Sequence, residues 1–428
     1  MSVGLQRLRE DADRLKLAAT DKGEDPAVVD RAVELDERRR ALVAEADALK
    51  AERNEASRRI GEAIRAGADP NGPEVAKLKG DSAATAERID ALDADIATVE
   101  AELTEAMLRI PNPADPDVPV GGEDANLVIR TWGDPLPRED RVPHWELAER
   151  LGIVDNGRGA KVTGSGWPVY VGDGATLQRA LIGWFLDVHA REHGMTEIWP
   201  PVLVNADSAR GTGQIPDKED QMYVVERDGL YLVPTAEVPV TNLHRDEILD
   251  ADDLPIRYAA YSASFRRESG AAGRDTRGIL RVHQFDKVEM VAFTTPEQSP
   301  EELEWLTGCA EALLQRLGLA YRVVLMSTLE MGFVQARKYD LEVWAPGVER
   351  WLEVSSVSNF RDYQARRMNI RFRREPGDKP ELVHTLNGSG LALPRTVAAL
   401  LETFQQPDGS VSIPDVLRPA FGGRVRIG

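Results

Sequence analysis

A single cysteine, Cys309, stands in a chain of 428 residues. That scarcity excludes an intramolecular disulfide framework and any cysteine-based zinc site, and it fits a reducing compartment. Long apolar runs are missing too. No stretch reaches the roughly eighteen uncharged apolar residues of a membrane span, and the opening MSVGLQRLRE lacks the apolar core of an export signal. The expectation is a cytoplasmic chain with no membrane partner. Phosphate-cradling signatures are absent as well: there is no Walker A pattern, and GSGLAL (388–393) lacks the third glycine of a dinucleotide fingerprint. Positive charge is in the minority, with 53 Lys and Arg against 72 Asp and Glu and a formal net charge of −19. Such a balance argues against indiscriminate adsorption to nucleic acid or anionic lipid, and leaves room only for local basic surfaces.

What the chain does contain is enough apolar material, 42%, for two or three packed domains. The first 110 or so residues are all but devoid of aromatics and rich in Ala, Leu, Arg and acidic residues, a composition of long helix. From Val75 the apolar or small positions Leu78, Ser82, Thr85, Ile89, Leu92, Ile96, Val99, Leu103, Ala106 and Ile110 alternate at three and four residues, which is a coiled-coil seam. Leu35, Leu42, Leu49, Ala56 and Ala63 keep a seven-residue step before it, and AGADPNGP (66–73) separates the two series with helix breakers. Two antiparallel helices joined at a tip follow, projecting as an arm. The first helix carries Arg38, Arg39, Arg40, Lys50, Arg53, Arg58, Arg59 and Arg65. These either meet phosphate or pair with the many glutamates, with Arg39 and Arg53 at candidate seam positions.

IPNPADPDVPVGGED (110–124) breaks the second helix, so the expected domains are 1–110, a linker over 111–124, and a mixed α/β region over 125–428. Within the last, residues 175–194 read as an amphipathic helix, MTEIWPPVLV as a strand interrupted by prolines, and SPEELEWLTGCAEALLQRLG as a helix starting at a Ser cap. RYAAYSASFRRE and ILRVHQFDKVEMVAF read as strands flanking a glycine-rich loop. Strands joined by loops without regular crossover helices imply an antiparallel sheet in an α+β domain. Residues 265–290, FRRESGAAGRDTRGILRVHQFDKVEM, gather six cationic side chains and three glycines. By strand parity Arg266 and Glu268 share a face, as do Arg281, His283, Phe285, Lys287 and Glu289. A polar row with one aromatic suits either a nucleotide or an internal ion-pair network.

With GTGQIP (211–216), VPTAEVPVT (233–241), KYDLEVW (338–344), EVSSVSNFRDYQARR (353–367) and TLNGSGLALPRTVAALLE (385–402), the chain resembles the bacterial-type seryl-tRNA synthetases, class II aminoacyl-tRNA synthetases, over nearly its whole length. The resemblance implies an antiparallel class II sheet with flanking helices, a projecting N-terminal coiled coil that reaches tRNA, and a homodimer formed through EIWPPVLV. It implies activation of L-serine by ATP with Mg²⁺, then transfer to the 3′ end of the serine tRNA, with the selenocysteine tRNA as a further candidate. On matching positions, Arg266 holds the α-phosphate, Glu268 reads the adenine amino group, Phe285 stacks on adenine, and Arg267 and Val282 lie beside the nucleotide. Arg395 clamps its other side. Glu353 and Ser356 reach Mg²⁺ and phosphate, with Val354 and Ser355 between them, while Thr235, Ala236, Glu237, Glu289, Asn387 and Ser389, with Arg266, form the serine pocket. Arg38, Arg39, Arg53, Arg58, Arg274 and Arg277 are the tRNA-facing candidates, and Arg266, Glu353 and Arg395 the catalytic set.

HAREH (189–193) fits an H-x-x-E-H zinc pattern, but surface or interface histidines are the ordinary reading of such a helix and no zinc is expected. Cys309, in an Ala/Leu-rich helix, reads as inert core. The chain departs from the family at MSTLEMG (326–332), which has Leu329 and Glu330 where T-G-D-M-G is usual, and at Val357 and Pro394. Those departures suit a biosynthetic or antibiotic-tolerant paralogue as well as a housekeeping enzyme. A carrier-protein aminoacylase and a catalytically dead adaptor are the remaining alternatives.

Overall fold

The computed structural model describes residues 3–139, 141–269 and 277–428. By its contacts the chain divides into two units, Met1–Pro111 and Asn112–Gly428. In the first, helices α1 (Ala27–Arg65) and α2 (Pro73–Leu108) form an antiparallel hairpin, turning at residues 66–72 where Gly67 takes a φ of +96°. Their 39 and 36 residues correspond to lengths of roughly 58 and 54 Å at 1.5 Å per residue. Every seam position from Val75 to Ile110 is buried or half-buried, with Val75, Ile89, Leu92, Val99, Leu103 and Ile110 fully so. The predicted heptads therefore form the helix interface.

On α1 the interface has two rows: Leu35, Leu42, Leu49, Ala56 and Ala63, and beside it Ala32, Arg39, Ala46, Arg53 and Ile60. Arg39 and Arg53 thus sit in the seam. Short helices Leu5–Glu10 and Ala12–Asp21 precede the hairpin, and Arg9 clamps Asp36 of α1 with bonds of 2.7 and 2.8 Å. Asp36 is buried and also receives Arg40 at 3.1 Å and Arg39 at 3.4 Å. The hydrogen bond from Arg9, outweighing burial, and the charges of its arginines hold this carboxyl below the usual carboxylate range.

The second unit is built on an eight-stranded sheet. Its strands are β1 (Leu127–Trp132), β2 (Thr196–Ile198), β3 (Ile256–Phe265), β4 (Gln284–Thr294), β5 (Tyr321–Leu325), β6 (Arg337–Ala345), β7 (Arg350–Arg361) and β8 (His384–Ala392). They lie in the order β1-β5-β6-β7-β8-β4-β3-β2, antiparallel except for the edge pair β2/β3, which is parallel. MTEIWPPVLV is not one strand: its prolines end β2, and Leu203–Asn205 joins a separate three-stranded sheet. Helices α3 (Asp173–Arg191), α4 (Ser299–Leu317) and α5 (Leu393–Phe404) share one large apolar core with the sheet. Ser299 does not cap α4. Its hydroxyl instead donates to the Pro296 carbonyl and contacts His384 Nδ1 at 2.7 Å.

Alternation along the central strands divides core from cavity. Val288, Met290 and Ala292 of β4, Val357 of β7 and Leu386 of β8 join the core, whereas Phe285, Lys287 and Glu289, Ser356 and Ser358, and Asn387 and Ser389 face the other way. Glycine is required just beyond the last two. A Cβ at Gly390 would lie only 2.4 Å from His189 Nε2, so β8 packs this closely only without a side chain there, whereas one at Gly388 would meet the flexible end of Met290 at 2.9 Å. Cys309 is buried in the same core, where burial raises its thiol to about 12.

Candidate active site

A cavity of about 460 Å³ opens over β4, β6, β7 and β8. Of the sequence-derived candidates it gathers Thr235, Glu237, Arg266, Glu268, Val282, Phe285, Glu289, Glu353, Val354, Ser356, Asn387, Ser389 and Arg395. Strand parity alone does not put Glu353 beside Ser356. A bulge does so: the β6/β7 register shifts between Leu341 and Glu342, leaving Val354 unpaired and turning Glu353 toward the cavity. Arg395, from the first turn of α5, donates to the Glu353 carbonyl at 3.0 Å and to its carboxylate at 3.3 Å. Burial opposes the charge on Glu353, but Arg395, Lys338 and Arg266 outweigh it and hold the carboxyl below its ordinary range.

Arg266 follows the end of β3. Its guanidinium carbon lies 5.0 Å from the centre of the Phe285 ring, and its Nε donates to the Pro234 carbonyl at 3.4 Å. Glu268 takes a left-handed φ of +53°, unusual for a residue with a Cβ and costing on the order of 1 kcal/mol. This conformation sets its carboxylate 3.1 Å from Arg281 Nε. A second polar group is joined by hydrogen bonds. Asn387 Nδ2 donates to Glu237 at 2.8 Å and to Glu289 at 3.2 Å, and Lys287 Nζ lies 2.5 Å from Glu289 and 3.5 Å from the Ser389 hydroxyl. Thr235 Oγ1 accepts the Glu237 amide N–H at 3.3 Å.

Several candidates fall elsewhere. Ala236 is fully buried in an apolar cluster with Val240, Val291 and Phe293. Arg267 is exposed and turned to the Asp220 carbonyl, and the Ser355 hydroxyl donates to the Ser389 carbonyl at 2.6 Å beneath the cavity floor. β4 begins at Gln284, so His283 precedes the alternating row: its ring stacks on Trp167 and its Nδ1 lies 3.1 Å from the Tyr223 hydroxyl. Arg281 also precedes the strand yet lines the cavity. Arg277 is exposed outside it, and Arg274 lies outside the described residues.

In the helical unit, Arg38 is exposed and has no ion pair among the described residues, and Arg39 reaches Asp36 and Glu100. Arg53 occupies the seam, while Arg58 is tied to Glu55 at 2.6 Å and Glu62 at 3.3 Å. Of the H-x-x-E-H histidines, His189 and His193 adjoin with their Nδ1 atoms 3.0 Å apart, while Glu192 pairs with Arg316. Burial and then His193 lower His189 to about 3. Among the described residues no group of three or more His, Cys, Asp or Glu side chains is placed to hold a metal, and no helix is long and apolar enough to cross a membrane.

Sequence reasoning gave no site role to Lys218, Glu330 or Lys338, and placed Lys287 on the polar row of its strand without one, though all four line the cavity. Lys338 pairs with Asp340 at 3.1 Å and shares its face of β6, so the alternation of KYDLE carried that signal. Gln364 gave none. It donates to Glu237 at 2.7 Å from 127 residues further along the chain.

An antiparallel sheet carrying a cation-lined cavity over its central strands, with arginines supplied by a strand end and a helix start, is the architecture of a class II aminoacyl-tRNA synthetase. Residues 223–404 match the tRNA synthetase class II core domain (G, H, P, S and T), and residues 4–114 match the Seryl-tRNA synthetase N-terminal domain. The serine–tRNA ligase of Thermomicrobium roseum is 53% identical over 428 residues, covering all of this chain and 95% of that protein. The chain belongs to the seryl-tRNA synthetase family, and its activity is serine–tRNA ligation. Two solved structures are similar throughout. Seryl-tRNA synthetase from Pyrococcus horikoshii complexed with ATP superposes with a TM-score of 0.93 at 37% identity, covering 99% of both chains. The cytoplasmic serine–tRNA ligase from Naegleria fowleri in complex with AMP gives 0.88 at 28% identity, covering 99% of this chain and 98% of that one.

Proposed function

We propose that the cavity binds ATP and L-serine side by side and joins them as seryl-adenylate, and that the helical unit (1–110) presents the serine tRNA to the 125–428 domain across the 111–124 connection. Serine's carboxylate attacks the α-phosphorus and pyrophosphate leaves. The tRNA terminal hydroxyl then attacks the adenylate carbonyl and AMP leaves. No enzyme nucleophile is involved, so the chain contributes positioning and charge. Phe285 stacks on adenine with Val282 alongside, Glu268 accepts from the adenine amino group, and Arg266 and Arg395 neutralise the phosphates. Thr235, Glu237, Glu289, Asn387 and Ser389 bind serine, and a pocket that bonds its hydroxyl leaves polar groups unpaired when alanine enters.

The oxygen donors of Glu353 and Ser356 suit Mg²⁺, a hard cation, and the carboxylate is held ionised by its three cationic neighbours. When bound there, the ion offsets phosphate charge. The observation that carries the reading is the convergence in one cavity of Arg266 over Phe285, Arg395 on Glu353, and the Glu237–Asn387–Glu289 bridge. The relatives' complexes with ATP and AMP favour it. We further assign a homodimer contact to the β2 edge, where Trp199 is 76% exposed and Val202 and Leu203 are exposed beside it, and a cytoplasmic location. The selenocysteine tRNA is a second candidate acceptor. Serine-dependent exchange of pyrophosphate into ATP, followed by tRNA charging, tests the assignment. Exchange that ignores serine would refute it.

A further inference from the structure

The two serine-pocket carboxylates are held differently. Glu289 has an ammonium against it, Lys287 at 2.5 Å. Among the described residues Glu237 has only neutral donors: Gln364 Nε2 at 2.7 Å on Oε1 and Asn387 Nδ2 at 2.8 Å on Oε2. The orientation of Gln364 is set by Thr385, whose hydroxyl donates to its Oε1 at 2.8 Å, and by its second N–H bond to the Thr212 carbonyl at 3.2 Å. Glu237 and Gln364 are 6% and 1% exposed, so this end of the cavity is enclosed. Among the described residues the charged groups facing Glu237 are Glu289 and Lys287 from β4 and Lys218 from the 213–221 segment, and neither lysine makes an ion pair with it; the helix Tyr363–Met368 presents the neutral Gln364. A buried carboxylate bonded by amides alone, next to a second carboxylate, is costly to ionise. Burial first, then Glu289, raises Glu237 to about 7, against the hydrogen bond of Gln364 and the two lysines.

We infer that Glu237 is a proton-exchanging counter-ion for the α-ammonium of serine: without ligand a share of Glu237 that grows as pH falls through neutral carries a proton, and arrival of the ammonium releases that proton to solvent. Gln364 is the positioning residue that keeps an N–H, rather than a carbonyl, aimed at Glu237. Each Glu237 oxygen accepts from a protein amide and the residue lines the cavity, where serine's own N–H donors take the place of the acidic proton. Among the described residues the buried Asn387 Oδ1 has no donor, which leaves it as a second acceptor for the ammonium. The inference rests on the serine-pocket reading above.

Calorimetric titration of the full chain with L-serine, in two buffers of different ionisation enthalpy, separates the two. At pH 7 we expect roughly half a proton released per serine, rising toward one at pH 6, with Kd weakening by up to about tenfold per pH unit below pH 7 and levelling above pH 8. Glu237→Gln should bind serine weakly and release no proton. Gln364→Met removes a bond that favours the charged carboxylate, so the midpoint should move to higher pH, proton release at pH 7 should grow, and affinity should recover at pH 8.5. A merely structural role would weaken binding equally at every pH. Serine binding by the unaltered chain with no proton release and a flat Kd from pH 6 to 8 overturns the inference and leaves the pocket assignment standing. An absence of serine binding at every pH overturns both.

Discussion

Replacing Arg266 by Ala removes a charge that the fold aims into the cavity at almost no structural cost. Among the described residues its side chain makes one long bond, 3.4 Å to the Pro234 carbonyl, and lies over Phe285 at 5.0 Å. Each contact is worth on the order of 1 kcal/mol or less to stability. Against an α-phosphate about 4 Å away the same guanidinium contributes on the order of 4 kcal/mol at an effective dielectric near 20. Part of that is felt by bound ATP as well, and Arg395 remains to share the load. We therefore expect a loss of about 3 kcal/mol in the transition state, or ~10²–10³-fold in serine-dependent ATP–pyrophosphate exchange, with ATP affinity falling much less. Exchange should be followed at saturating ATP and serine, with a thermal melt of the same preparation. A folded Arg266→Ala protein exchanging at near the normal rate would remove Arg266 from the α-phosphate.

Replacing roughly residues 46 to 91 with a short Gly/Ser linker keeps the Arg9–Asp36 clamp and shortens the hairpin; exchange should survive while tRNA charging collapses, and undiminished charging would make the hairpin a structural or protein-binding element. Asp36→Ala should lower the melting transition of the helical unit by on the order of 5 °C, because Arg9, Arg39 and Arg40 lose their shared acceptor. The Asp36 carboxyl is depressed in the folded state, so its contribution is complete above about pH 4 and drains away as pH falls further; the gap between variant and unaltered protein must close in acid. Thr235→Val and Ser389→Ala should erode discrimination of serine from alanine in exchange by about tenfold or more while sparing ATP affinity, and equal losses for both ligands would argue against pocket roles.

Much of this molecule is set by local pattern. The hairpin is written in a seven-residue repeat, because a helix that must bury one stripe can do so only at spacings of three and four, and each named seam position from Val75 to Ile110 is sheltered. The cavity face of β4 follows from alternation in the same way, Phe285, Lys287 and Glu289 on one side and Val288 and Met290 on the other. Motif resemblance then brought residues from four distant stretches to one cavity. What only the tertiary structure decided were the places where the chain leaves regular geometry or where partners come from afar. The start of β4 at Gln284 put His283 against Trp167, and the bulge at Val354 turned Glu353 inward. Arg39 and Arg53 became seam residues because the first helix buries two rows rather than one. The partners of Glu237 come from Gln364 and Asn387, more than a hundred residues away in sequence. Periodicity reports which face a residue shares with its neighbours. The protonation and aim of a buried carboxylate depend on groups that only the closed fold brings within three ångströms, and no spacing encodes them.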